Sequence, residues 1–325
     1  DFGSTTHPKF AVRWQPLEAL MFRASWSTSF KPPSFHELYQ PRRQDTGWYT
    51  DVERCERTGL PEDCGDQSYP VQWGGNPELE PEEGDSWFTG MLWTPEGLPG
   101  FEFQLDFWKF RHEERIEWLD AQSVLDAKAN FGITRAPAEA DGTPGRIIRI
   151  DETRINADTL LTSGFDTTLR YGWQTAGAGA FRVSVLHTYI DRWTFTESLD
   201  SGLVSVNFAG RYGRVAVPRN RANLNVSWDR DAHGASANLH YTGHYENHTN
   251  RYVDGERTDE PMTISGHATV DIQYNYRMER LGNAVVRVGC KNVTDSDPPL
   301  NYGALEPFHD GRGRFFYLRW QQPIR

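Results

Sequence analysis

No run in this chain approaches the ~18 uninterrupted apolar residues that a membrane-crossing helix needs. It also lacks a basic excess. Its 34 Lys and Arg face 45 Asp and Glu, for a net charge of −11, which argues against a nucleic-acid binder with a basic stripe. There is no initiator Met and no charged-then-apolar leader at "DFGSTTHPKF" (Asp1–Phe10), so the chain reads as processed or as an internal piece. Cysteine is scarce, with three residues and no Cys-x-x-Cys spacing for zinc. Neither Gly-x-Ser-x-Gly nor a phosphate-cradling Gly loop occurs. No catalytic constellation emerges, and the chain is not expected to be an enzyme or to carry a cofactor.

What is present is aromatic and periodic. The 12 Trp, 13 Tyr and 18 Phe among 325 residues exclude a disordered chain, although mean hydropathy is only −0.69. Length alone allows one large domain or two ordinary ones. Period two dominates. In "FEFQLDF" (Phe101–Phe107), Phe101, Phe103, Leu105 and Phe107 alternate with Glu102, Gln104 and Asp106. The same alternation predicts eleven strands, near His7–Trp14, Ala19–Phe30, Asp85–Thr94, Phe101–Arg111, Leu160–Trp173, Gly179–Trp193, Pro218–Trp228, Gly234–Tyr245, Thr263–Met278, Asn283–Asn292 and Gly313–Trp320.

The connections are sorted by length. "QPLE", "PEGLPG", "QTAGA", "DRDAH" and "ERLGN" alternate with Lys31–Gly84, His112–Thr159, Thr194–Val217, Glu246–Met262 and Val293–Arg312. A soluble sandwich has no reason to do this. An antiparallel up-and-down transmembrane β-barrel does, with tight periplasmic turns and long extracellular loops. The apolar strand faces would then meet lipid and the polar faces a wet lumen, and a polar lumen reconciles the low hydropathy with membrane residence. Trp14, Trp26, Trp93, Trp108, Trp193, Trp228 and Trp320 fall at or near the expected strand ends, where an aromatic girdle belongs. An odd strand count, with the last strand running inward, predicts that one or more strands precede Asp1.

Cys55 and Cys64, in the polar stretch "ERCERTGLPEDCGD", suit a short disulfide closing a surface loop in an oxidising compartment; two unpaired thiols are the alternative. Cys290 reads as a small packing residue. The first long loop carries Arg42, Arg43, Trp48, Tyr49, Tyr69 and Trp73, a set suited to an anionic or aromatic metal chelate or a sugar face, or simply to packing on neighbouring loops. "HEERIE" (His112–Glu117) lacks the second His of a zinc helix. "HYENH" (His244–His248) is read as solvated loop, and "DSDPP" (Asp295–Pro299) and "DGERTDE" (Asp254–Glu260) as polar turns without EF-hand spacing. The polar-face residues Arg23, Asp106, Asp166, Arg170, Asp271 and Arg277 are expected to pair structurally.

Four segments in order resemble one family. "RASWSTSFKPPSFHELY" (Arg23–Tyr39), "GNPELEPEEGDSW" (Gly75–Trp87), "LGNAVVRVGCKNVTDSDPP" (Leu281–Pro299) and "DGRGRFFYLRW" (Asp310–Trp320) are similar to recurrent segments of TonB-dependent outer-membrane receptors. The resemblance spans essentially the whole chain. It implies that residues 1–325 are the C-terminal part of a 22-stranded barrel, about eleven strands of it, with the plug domain and energy-coupling box outside this sequence. It further implies residence in the bacterial cell outer membrane and active uptake of a scarce nutrient, such as a siderophore–metal chelate, a sugar or cobalamin. The implied partners are a small-molecule ligand, outer-membrane lipid, an inner-membrane TonB-type energy-coupling complex acting through the plug, and the barrel-assembly machinery that reads the final strand at Phe316, Leu318 and Trp320. The family closes on an aromatic residue; this chain ends "QQPIR", with Trp320 as the candidate for that role. Rival readings are a passive pore or adhesin barrel, a barrel enzyme with its cluster at the rim (only His240 and His244 are on offer), and a soluble sugar-binding β-sandwich.

Overall fold

The computed structural model describes residues 5–323 apart from 120, 127, 129, 158, 200–201, 213–215, 249–250, 254–255, 259, 301–308 and 310. Eleven strands form one antiparallel meander, each hydrogen-bonded to its sequence neighbour in the set. They are β1 (Lys9–Leu17), β2 (Leu20–Lys31), β3 (Glu82–Trp93), β4 (Phe101–Glu113), β5 (Thr159–Thr175), β6 (Gly179–Leu199), β7 (Asn220–Arg230), β8 (His233–Thr242), β9 (His267–Met278), β10 (Ala284–Lys291) and β11 (Phe315–Gln321). A short segment, Gly202–Asn207, adds to the far end of β6. Tight turns join β1–β2, β3–β4, β5–β6, β7–β8 and β9–β10; long segments join the others. Among the described residues no helix is long and apolar enough to cross a membrane, which leaves crossing to the strands.

Register turns the alternation into two continuous faces. Phe103, Leu169, Val185, Leu224, Leu239 and Val270 are successive pairing partners across β4–β9. One residue over, Glu102, Arg170, Ser184, Asn225, Asn238 and Asp271 make a parallel polar row. A one-residue slip in any strand would swap these faces, so the pattern fixes the register. The apolar face stays open, with Leu105, Ile272, Tyr274 and Val288 each more than a third exposed. An apolar surface this large on a folded chain is one that meets something other than water.

The short-turn end of the apolar face carries an aromatic band. Trp93 meets Phe101 at 5.8 Å, Phe101 meets Tyr171 at 6.4 Å, and Trp173 stacks on Tyr171 and Phe181 at 5.1 and 5.3 Å. Trp228 Nε1 donates to the Ala178 carbonyl at 2.6 Å, keeping the polar edge of its ring paired at the turn. The strands outrun their expected length at the other end. Trp26, Trp108 and Trp193 therefore lie inside β2, β4 and β6 rather than at their tips. Trp108 pairs with Phe88 and Gly164 in register, one residue out of step with Phe107, so it belongs to the polar side. "QPLE" mostly completes β1, and the turn proper is residues 18–19. The eighth strand stops at Thr242, and Tyr245–Asn247 is a separate short strand.

The polar face is paired internally. Arg23 (β2) and Asp106 (β4) are both partners of Gly90 on the intervening β3. Their ion pair, 2.9 Å, crosses above that glycine, where a Cβ would collide with the Asp106 carboxylate. Arg23 also stacks on Phe88 at 4.9 Å. Arg170 pairs with Glu102, Thr188 Oγ1 donates to Asp166 at 2.6 Å, and the Asn292 amide donates to Asp271 at 2.9 Å. The expected structural pairing holds at Arg23, Asp106, Asp166, Arg170 and Asp271.

Ile272→Arg places a charge on the apolar face and is expected to destabilise the folded protein in a bilayer by roughly 2–4 kcal/mol near mid-depth. Gln273→Arg, which loses only the Tyr317 hydroxyl bond, should cost about 1 kcal/mol or less. Urea titration of bilayer-reconstituted protein measures both; equal effects would contradict the assignment.

Candidate functional site

At the long-loop end the first two long segments fold together. Residues 32–81 and 114–158 build a five-stranded sheet from Arg43–Tyr49, Gln67–Gly74, Ile147–Ala157, Arg115–Trp118 and Ile133–Arg135. Its central pairing is parallel, Val71 to Ile150, between segments nearly eighty positions apart. A core of Val71, Leu119, Ala121, Val124, Leu125, Ile133, Ile147 and Ile150 closes under the helix Ala121–Asp126, with Tyr49, Tyr69, Trp73 and Ile155 packed against it. This roof is a small folded unit with its own core.

Local sequence explains the joints. After Pro32 and Pro33, Ser34 and Glu37 form a reciprocal capping box that starts the helix Phe35–Tyr39. Asn76 locks that helix to the sheet. Its amide donates to the Glu37 carbonyl at 2.9 Å and its Nδ2 to the Arg154 carbonyl at 3.0 Å. Asn156 exchanges two bonds with Glu80, both 2.8 Å. At the root of the roof, buried Glu82 accepts from the Ile116 amide at 2.9 Å and pairs with Lys31 at 2.8 Å.

The two helices Val52–Thr58 and Pro61–Cys64 are inserted between the first two roof strands and joined by the Cys55–Cys64 disulfide. Gly59, at φ 63°, supplies the left-handed cap that lets the chain reverse between them. Beneath lies a buried charge network. Asp51, 1% exposed, accepts from Nη1 and Nη2 of Arg135 at 2.5 and 2.9 Å. Arg54 holds Asp63 at 2.9 Å and Glu139 at 2.7 Å. Burial alone would push the Asp63 carboxyl up, but the Thr58 hydroxyl and the Arg54 and Arg146 charges outweigh it and hold it below the usual carboxylate range. Both networks tie the first loop to the second.

The five ligand candidates divide. Arg42, Arg43 and Trp48 are exposed, Trp48 at 70%. Arg43 and Trp48 stand five residues apart on one strand, about 17 Å at strand rise and on opposite faces of it, so they do not converge on one point. Tyr49 and Trp73 are built into the roof. Tyr49 donates to Glu152 at 2.7 Å, and Trp73 meets Trp118 edge-on at 5.5 Å. Arg154 stacks on that same Trp118 at 4.4 Å. The Trp73–Trp118–Arg154 stack has no local signature, because its members come from three segments.

On the polar face, a cavity of 260 Å³ opens at the long-loop end of β7–β11 among Arg221, Asn223, His240, His267, Asp271 and Lys291. His240 Nδ1 contacts Asn223 Oδ1 at 2.7 Å and its Nε2 lies 3.7 Å from Asp271. His267 and His309 meet Nδ1 to Nδ1 at 3.2 Å, so one donates and the other accepts. Burial, with His267 and Arg221 nearby, holds His309 below the usual imidazole range. Among the described residues no group of three or more His, Cys, Asp or Glu is placed to hold a metal. His248 pairs with Glu246 at 3.0 Å, and Asp295 accepts from the Arg314 amide at 2.8 Å. Part of Asp254–Glu260 lies outside the described residues. Phe316, Leu318 and Trp320 share the apolar side of β11, opposite Cys290, Val288 and Val286.

Removing Arg54 takes from the buried Asp63 its closest cation, leaving it the more distant Arg146 at 3.7 Å and the Thr58 hydroxyl at 2.8 Å. Arg54→Ala is therefore expected to destabilise the roof by about 3–5 kcal/mol, read as faster tryptic cleavage within residues 51–65 while the strand wall stays intact. The acid behaviour follows from the lowered Asp63 pKa. Its contribution is fully present above the unfolded value near 3.9 and is lost as pH falls through the folded value. Amide exchange across 51–65 should accelerate over that acid range in the wild type. In Asp63→Asn the acid-dependent step should disappear; an unchanged profile would contradict the assignment.

A family model described as TonB dependent receptor-like, beta-barrel, matches residues 1–293. No curated protein sequence matches the chain. Among solved structures, the siderophore receptor PirA from Acinetobacter baumannii superposes with a TM-score of 0.62 at 14% identity, covering 96% of this chain and 40% of that one. A variant of the ferric enterobactin receptor PfeA from Pseudomonas aeruginosa, in complex with enterobactin, gives 0.60 at 16% identity, with 96% and 40% covered. PfeA in complex with BCV-L6 gives 0.60 at 15%, with the same coverage. The chain thus spans about 40% of the length of these structures, and at such identities the likeness is one of fold.

Proposed function

Since the chain belongs to the TonB-dependent receptor β-barrel family and resides in the bacterial outer membrane, we propose that it is the C-terminal part of the barrel of a plugged receptor that takes up a siderophore-type metal chelate. The observation that carries this reading is the braced roof over a polar-lined wall. Loops at the mouth of a passive pore have no need of a private core, a disulfide and buried ion pairs. A capture surface does, because ordering it in advance lowers the cost of binding.

Closure supports the placement within a larger barrel. Among the described residues β1 and β11 each pair with one neighbour, and all nine residues of β1 are exposed. An unpaired strand edge is not tolerated in hydrocarbon. The remaining strands of a 22-stranded barrel would cover both edges, and a plug would fill the lumen against the polar face. Uptake would draw on an inner-membrane energy-coupling complex acting through that plug. The apolar row of Phe316, Leu318 and Trp320 would serve recognition by the assembly machinery. In this reading Arg42, Arg43 and Trp48 are the ligand-contacting members of the roof, while Tyr49 and Trp73 hold its shape.

The test is binding and uptake of radiolabelled ferric siderophores by cells carrying the whole receptor under iron limitation. Trp48→Ala combined with Arg42→Ala and Arg43→Ala should weaken binding of the cognate chelate about tenfold or more with unchanged surface abundance. Uptake should vanish on collapse of the proton-motive force. Energy-independent uptake, or unaltered binding in the triple variant, would contradict the proposal.

A further inference from the structure

Strand β8 is unusually thin on its apolar side. Its outward positions near the short-turn end are Ala235 and Ala237, whereas β7 presents Val226 and Trp228 beside them and β9 presents Tyr274 and Ile272. Two alanines between bulky walls leave a furrow along the strand, part of an apolar cavity of 610 Å³ that reaches across to Val288 and Phe316. The furrow ends upward at Leu239, where Leu224 and Val270 stand level with it. Downward it opens at His233, which pairs in register with Arg230 and Tyr276 and contacts the Tyr274 hydroxyl.

Its depth and width define the occupant. The mouth lies beside the turn at residues 231–232, one of the short turns, so the furrow opens in the periplasmic leaflet. The β7 and β9 walls are two strand spacings apart, about 10 Å before side chains are counted. That admits one alkyl chain and is too narrow for a helix of about 10–12 Å diameter. At the mouth, the Arg230 guanidinium and the His233 ring are the groups an anionic headgroup would meet; Asp231, 3.6 Å from Arg230, is their acidic neighbour and is largely in solvent.

We propose that this furrow is a specific glycerophospholipid site: one acyl chain lies over Ala235 and Ala237, and the phosphate is held at Arg230 and His233. The inference rests on the face and leaflet assignment alone and is independent of what the receptor transports.

The test is native mass spectrometry of the whole receptor extracted from outer membranes in mild detergent, with palmitoyl-oleoyl phosphatidylethanolamine added back. The wild type should retain one such lipid after bulk delipidation. Ala237→Leu fills the furrow while staying apolar on a lipid-facing surface, and should lower that retention about tenfold. Heat-modifiable electrophoretic migration verifies that the barrel is folded. Arg230→Gln leaves the furrow open and should shorten retention of the phospholipid but not of a chain-matched diacylglycerol. Equal retention by wild type and Ala237→Leu, or a retained lipid of the glucosamine-based outer-leaflet type, would overturn the site. Equal behaviour of phospholipid and diacylglycerol toward Arg230→Gln would overturn the headgroup contact.

Discussion

A peptide N–H or C=O inside hydrocarbon has no water to turn to, and each one left unpaired costs several kcal/mol. Everything in the wall of this protein follows from that constraint. Antiparallel neighbours joined by tight turns satisfy every backbone group with the least chain, and side chains then fall alternately on two faces. One face must suit lipid and the other a wet interior. The row from Phe103 to Val270 and the row from Glu102 to Asp271 are two readings of the same hydrogen-bond ladder. The Arg23–Asp106 pair reaching over Gly90 shows how finely the polar face is cut to the ladder: the residue between the charges must have no side chain.

Above the membrane the constraint lifts, and the architecture changes with it. The roof mixes parallel and antiparallel strands, uses short helices, and adds a disulfide and buried ion pairs of its own, where the wall is one continuous backbone ladder. Its core is small, and small cores need staples. The bidentate Arg135–Asp51 contact and the Arg54 hub each bind one loop to the other, so neither loop has this shape without its partner. That coupling makes two long connections into one surface.

The eleven wall strands and the sorting of their connections were legible in the sequence because both are local. Alternation is written residue by residue, and a tight turn announces itself with Gly, Pro or Asp. The bridge between Cys55 and Cys64 was legible from spacing and setting. The roof strands were not, since the pairing of Val71 with Ile150 depends on the second loop arriving, and nothing near either residue encodes it. Some of the roof could have been read. Ser34 and Glu37 stand at capping-box spacing, and Tyr69, Val71 and Trp73 alternate with Ser68, Pro70 and Gln72, which argues that Trp73 faces a core. Among the aromatic residues assigned to a girdle, Trp108 and Trp193 failed because register places both on the polar side, Trp108 opposite Gly164 and Trp193 opposite Thr162.

One strand face meets lipid and the next residue does not. The most direct test puts nitroxide labels singly at positions 270 to 275 of β9 in the whole receptor, reconstituted in bilayers, and measures collision with dissolved oxygen, which concentrates in hydrocarbon. A period of two is expected, with high collision rates at Val270, Ile272 and Tyr274 and low rates at Asp271, Gln273 and Asn275. A flat profile, or peaks on the polar set, would contradict it.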